Sequence, residues 1–86
     1  MRHARDDALD EIEPVLMQLR TIPALTERSR GTFSKGSTAF LHFHEDPAGL
    51  FADVRLVPGG DFTRMRVSTK AEQRAFVSAV KKALRA

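Results

Sequence analysis

Two histidines one residue apart, His42 and His44, sit in the string LHFHED, and Asp53 follows within the next run of alternating residues. Imidazole nitrogens and carboxylate oxygens are donors that zinc and other borderline divalent ions accept. Residues two apart on a strand project from the same side, so one ion can meet both rings, with Asp53 supplying a third donor across a hairpin. The same residues also suit a plain polar sheet face, with His42 paired to Asp53 and His44 packed on Phe51. Catalysis needs more. A His–Asp pair becomes a triad only with a nucleophile and an oxyanion site, and no spacing ties Ser34, Ser37 or Thr38 to the pair. There is no glycine-rich phosphate loop and no nucleophile elbow. The expectation is a protein that is not an enzyme and carries no cofactor. The chain has no cysteine, which removes disulfides, thiol nucleophiles and thiolate metal sites.

The elements that must position these residues are legible in the hydrophobic pattern. Leu9, Ile12, Leu16, Leu19 and Ile22 recur at three- and four-residue spacing and define a helical stripe. Pro14 interrupts it. A proline costs about 3 kcal/mol deep in a helix but little in a first turn, where the amides lack partners. The helix therefore starts near Asp10 or kinks at Pro14, and Pro23 ends it. Three strands follow at roughly 38–45, 50–57 and 62–68, with Thr32–Ser34 as a short edge strand and Lys35-Gly36 as a tight turn. Asp46-Pro47-Ala48-Gly49 and Pro58-Gly59-Gly60-Asp61 carry turn chemistry. Thr69 and Glu72 form a capping box before an amphipathic helix faced by Phe76, Val77, Val80, Ala83 and Leu84. Residues 1–6 read as a loose arm. The expected fold is a single α+β domain: an antiparallel meander of three or four strands, with an N-terminal and a C-terminal helix on one face.

Opposed residues of an antiparallel pair share a face. A loop at 46–49 sets Glu45 against Leu50, Phe43 against Ala52, Leu41 against Val54 and Ala39 against Leu56, which is a coherent apolar face. The other face then pairs His44 with Phe51, His42 with Asp53, and Phe40 with Arg55. A turn at 58–61 sets Leu56 against Thr63, Val54 against Met65, Asp53 against Arg66, and Arg55 against Arg64. The face turned away from the helices therefore carries Phe40, His42, His44, Phe51, Asp53, Arg55, Phe62, Arg64 and Arg66. A contiguous aromatic and basic patch of this kind reads as a binding surface. A small non-catalytic binding or scaffolding protein that pairs with a second copy through this face is the leading expectation. A nucleic-acid-binding module that stacks bases on the phenylalanines and holds phosphates with the arginines is the alternative. A divalent-metal site at His42, His44 and Asp53 is the third.

Composition supports a soluble domain. The 86 residues are 42% hydrophobic and 29% charged, with net charge +3. Charge is unevenly placed: residues 1–29 hold four basic and six acidic groups, whereas residues 60–86 hold seven basic and two acidic. A basic end fits an anionic partner. No run reaches the roughly 20 apolar residues of a membrane span, and the first residues lack the apolar core of a signal peptide. A cytoplasmic protein without a membrane partner is expected.

The string Leu41-His42-Phe43-His44-Glu45-Asp46, followed by Gly49-Leu50 and Ala52-Asp53, resembles a group of small uncharacterised bacterial proteins. The segment from Leu19 to Leu41, with its Ile22-Pro23-Ala24-Leu25 corner and Lys35-Gly36 turn, resembles the YjbR/MmcQ-type bacterial proteins. The latter resemblance implies a helix–sheet–helix fold similar to frataxin, and DNA binding. The order helix–three strands–helix is similar to that of the double-stranded-RNA-binding domain. The resemblance is one of topology: the loop Asp46-Pro47-Ala48-Gly49 and the helix start Thr69-Lys70-Ala71-Glu72 replace that family's Gly-Pro-x-His and Lys-Lys-x-Ala-Lys signatures, both of which are missing here.

Overall fold

Pro14 is accommodated by breaking the first helix in two. The structure, a computed structural model, describes residues 1–85. Helix α1 spans Asp6–Glu11 and α2 spans Glu13–Arg20, with Pro14 in the first turn of α2. At the joint, Ile12 leaves helical geometry (φ −113°, ψ 17°). Its carbonyl accepts from Val15 and Leu16 at 2.9 and 3.1 Å. The proline has no amide to leave unpaired there, which is why the break costs little. The apolar stripe survives the break: Leu9, Ile12, Val15, Leu16 and Leu19 are all buried.

A short strand, β1 (Arg2–His3), precedes these helices. After them run β2 (Leu25–Ser29), β3 (Thr32–Lys35), β4 (Thr38–Asp46), β5 (Gly49–Val54), β6 (Thr63–Arg66) and the last helix, α3 (Lys70–Arg85). The class is α+β, as expected, but the sheet has six strands and not three or four. Its order is β2-β3-β4-β5-β6, with β1 pairing beside β4, and every pairing is antiparallel. The edge in this region is β2, so the segment around Thr32–Ser34 is an inner strand. Residues 1–6, expected as a loose arm, contribute β1 and the start of α1. These additions depart from the helix–three strands–helix order.

Three helices and one pleat of the sheet share a single core. Leu41, Phe43, Ala52, Val54 and Val67 meet Leu9, Ile12, Leu16, Leu19, Phe76, Val77 and Val80 there. Phe43 and Phe76 pack edge to face, with centroids 5.7 Å apart. The Thr69–Glu72 capping box closes in both directions: the Glu72 amide donates to Thr69 Oγ1 at 3.1 Å, and the Thr69 amide donates to Glu72 Oε1 at 3.0 Å.

The first hairpin has the expected register from Leu41↔Val54 through Glu45↔Leu50, with His42 opposite Asp53 and His44 opposite Phe51. Pairing continues to Asp46↔Gly49, leaving Pro47-Ala48 as the turn. Asp46 Oδ2 accepts from the Ala48 amide at 3.0 Å, the local bond that favours aspartate in turns.

The second hairpin differs from expectation by two residues. Asp53 lies opposite Arg64, Phe51 opposite Arg66, and Val54 opposite Thr63. Arg55 and Arg64 are therefore not opposed. The Gly59-Gly60 turn does form, with the Gly60 amide donating to Val57 O at 2.9 Å. The chain between β5 and β6, however, loops wider than four residues. Arg55 organises that loop: Nη1 donates to Gly60 O at 2.6 Å, and its cation sits 4.2 Å from the Phe62 ring centroid. A two-residue shift preserves which face each side chain takes, so the faces survive although the partners change.

Phe40 leaves the open face, and Ala39, expected on the apolar face opposite Leu56, is exposed. Pairing between β3 and β4 slips between Ser34↔Ala39 and Phe33↔Leu41, so one extra residue, Phe40, enters β4. A bulge of this kind re-aims its side chain. Phe40 is only 5% exposed and belongs to the core, not to the open face.

Candidate metal centre

The open face of the sheet gathers all three histidines of the chain. His42 and His44 come from the centre of β4 and project to one side because they are two residues apart. His3 lies opposite His44 in the β1–β4 pairing, so it takes the same face. Ring centroids are 4.8 Å apart for His42 and His44, 4.9 Å for His3 and His44, and 5.5 Å for His3 and His42.

Asp53 underlies the group from β5. Its Oδ2 is 3.1 Å from His44 Nε2 and 3.6 Å from His42 Nε2. Neither contact is a hydrogen bond. The His44 approach has the distance without the direction, and both His44 ring nitrogens are buried and unpartnered. An unsatisfied buried nitrogen costs roughly 1–3 kcal/mol. Burial pushes the His42 pKa below its ordinary value, and nearby His44 adds to this while Asp53 opposes it. A neutral ring with a free nitrogen lone pair is the form that binds metal.

Arg64 completes the cluster from β6. Its Nε and Nη2 each donate to one Asp53 oxygen at 2.8 Å, a fork-to-fork pair. This guanidinium is the main reason the Asp53 carboxyl titrates below its ordinary range, against the opposing effect of burial. A carboxylate has about four lone-pair sites. Arg64 uses one on each oxygen, so Oδ2 retains a site toward the histidines. His42, His44 and Asp53 each offer a donor atom, all within 4.8 Å of one another. Ligands on a tetrahedron around zinc lie about 3.3 Å apart. The two Asp53–histidine separations bracket that spacing.

The rest of the expected surface is more occupied than its residue types suggest. Phe62 is half-buried, with His42 edge-on at 5.0 Å on its ring and Arg55 over it. Phe51 is half-buried and Phe40 lies in the core. Arg55 Nε also donates to Ala39 O at 2.9 Å. Arg66 pairs with Glu72 at 3.1 Å and reaches Ala48 O. Each of the three arginines thus already holds an internal partner. The structure brings His42, His44, Asp53 and Arg64 together, sets Phe62 and Arg55 beside them, and keeps Phe40 apart. It adds His3, which sequence reasoning passed over because a two-residue strand has no periodicity to announce it. Comparison with known proteins finds no matching family model, no similar curated protein and no similar solved structure.

Proposed function

We propose that this protein binds a divalent transition-metal ion through His42, His44 and Asp53. The observation that carries the reading is His44: both its ring nitrogens are buried without a hydrogen-bond partner, while Nε2 lies 3.1 Å from Asp53 Oδ2 and near a donor atom of His42. Two imidazoles and a carboxylate form a borderline donor set, suited to zinc, with copper and nickel as competitors and calcium and magnesium disfavoured. Adjacent strands hold the three ligands, so little order is lost on binding. The phosphate-binding reading of the same face has less support, because Arg55, Arg64 and Arg66 are engaged with Gly60, Asp53 and Glu72.

Isothermal titration with zinc chloride tests the proposal. One equivalent is expected to bind the wild-type chain, and His42→Ala or His44→Ala is expected to remove the heat. No heat in the wild type, together with unmoved His42 and His44 ring resonances, would overturn it.

A further inference from the structure

A third histidine stands beside this centre. Strand β4 is nine residues long, but β3 pairs only with its first part, at Thr38, Ala39 and Leu41. The same edge of β4 farther along is taken by β1, through Arg2↔Glu45 and His3↔His44. His3 therefore stands beside the two β4 histidines on the open face and is exposed.

What holds β1 is mainly polar, including an ion pair from the Met1 amino group to Asp46 at 3.4 Å. The Ala4 amide donates to Phe43 O at 3.0 Å. Arg2 grips Glu45 Oε1 through Nε and Nη2 at 2.9 and 2.7 Å, and the Arg5 amide donates to Glu45 Oε2 at 2.8 Å. Both residues of β1 are exposed. Only Ala4 packs against the core. An element with few apolar contacts and exposed hydrogen bonds lies at the low end of local stability.

We infer that His3 is the fourth ligand of the centre, so that metal binding clamps the N-terminal strand onto β4. This rests on the reading of His42, His44 and Asp53 as a metal centre. Three protein ligands leave zinc an open position of the kind used in catalysis, whereas a fourth closes the shell and makes the ion structural. The centre then holds its ion and reports its presence through the order of β1. Linkage requires reciprocity: the factor by which docking of β1 tightens metal binding equals the factor by which metal stabilises that docking.

The experiment uses the full chain with zinc and, as a spectroscopic probe, cobalt(II). For the wild type, cobalt is expected to give the intense visible absorption of a four-coordinate site, and zinc to slow exchange of the Ala4 amide at least tenfold. His3→Ala is expected to weaken zinc binding at least tenfold, to lose the intense cobalt band, and to abolish the zinc effect on Ala4. Arg2→Ala loosens β1 without removing a ligand, and is expected to keep the cobalt band. If Arg2→Ala loses the band as fully as His3→Ala, His3 acts only through strand order and the ligand assignment fails. Zinc binding that His44→Ala abolishes and His3→Ala leaves within twofold would overturn the clamp while the three-ligand centre stands. A wild type that binds no zinc overturns both.

Discussion

Asp53 answers to a guanidinium on one side and two imidazoles on the other, and the balance between them sets what the cluster can hold. Arg64 stabilises the carboxylate but places a fixed positive charge where a divalent ion would enter. Its side chain is 51% exposed while that of Asp53 is 11% exposed, so Arg64 is the partner that can withdraw. Arg64→Ala is therefore expected to act in opposite directions on two observables. Stability falls, since a largely buried carboxylate loses two charge-assisted hydrogen bonds. Zinc affinity rises, since the competing cation is gone. Thermal melts and zinc titrations of the same variant check both, and a variant that loses stability without gaining affinity would place Arg64 outside the metal's reach. At this scale the pairing of His42 with Asp53 was readable from the sequence, because a proline turn and two alternating runs leave one workable register. The contribution of His3 was not, since nothing in MRHAR distinguishes a strand from an arm.

Hairpins decide which residues meet, and the two hairpins here were unequally legible. The β4–β5 turn is short and chemically explicit. The β5–β6 connection contains Pro58-Gly59-Gly60, which forms a turn, yet the strands part earlier because Arg55 hydrogen-bonds into the loop. No local propensity encodes that tertiary bond. Strand β2 escaped notice because LTERS has a single apolar residue, Leu25, and its Glu27 faces a helix arginine rather than solvent. The bulge at Phe40 had no signal either, since an apolar residue beside Leu41 fits both faces. Gly49 shows the opposite case, a residue whose identity the fold requires. Its φ is 132°, and a β-carbon there would collide with Ser68 Oγ. That hydroxyl accepts from the Leu50 amide at 2.8 Å and donates to Leu50 O at 3.3 Å, extending the β5–β6 ladder past Val67. Gly49→Ala is expected to cost about 1–3 kcal/mol, read as a lower denaturation midpoint with unchanged slope.

Across the whole molecule, charge is neutralised locally rather than between the terminal helices. Among the described residues, no acid of α1 or α2 forms a salt bridge with α3. Arg30, in the β2–β3 turn, holds Asp6, Asp10 and Glu13 at 2.9, 2.8 and 3.0 Å, and Arg20 holds Glu13 and Glu27 at 2.7 Å each. The turn is seated by Gly31, whose amide donates to Glu27 Oε2 at 3.0 Å and where a β-carbon would lie 2.7 Å from Leu9 Cδ2. Among the described residues, Lys70, Arg74, Lys81, Lys82 and Arg85 of α3 form no salt bridge, which leaves that helix as the solvated basic face. Among those residues, no helix is long and apolar enough to cross a membrane. The arginine network has a pH signature. Hydrogen bonds from Arg30 and then Arg20 lower the Glu13 pKa, and the Arg20 bond does the same for Glu27. A carboxylate depressed by folding stabilises above its unfolded pKa, near 4.3, and loses that stabilisation as pH falls through the lower folded value. Burial lowers the His42 pKa, so thermal midpoints are expected to begin falling as pH drops through about 6.5, and to decline further below about pH 4 as the paired carboxylates protonate. Arg20→Gln should flatten that decline.

The divided edge of β4 also orders events in time. Pairings from β2 through β6 join neighbours in sequence, so each closes a short loop as the chain collapses. The contact of His3 with His44 instead spans roughly half the chain, and enlarging a loop from about ten to about forty residues adds about 1.2 kcal/mol of closure entropy. Contacts of high sequence separation form late in folding. The meander and its helices thus assemble as a unit with two histidines already in place. The third joins last, so the proposed centre is the final part of the molecule expected to mature.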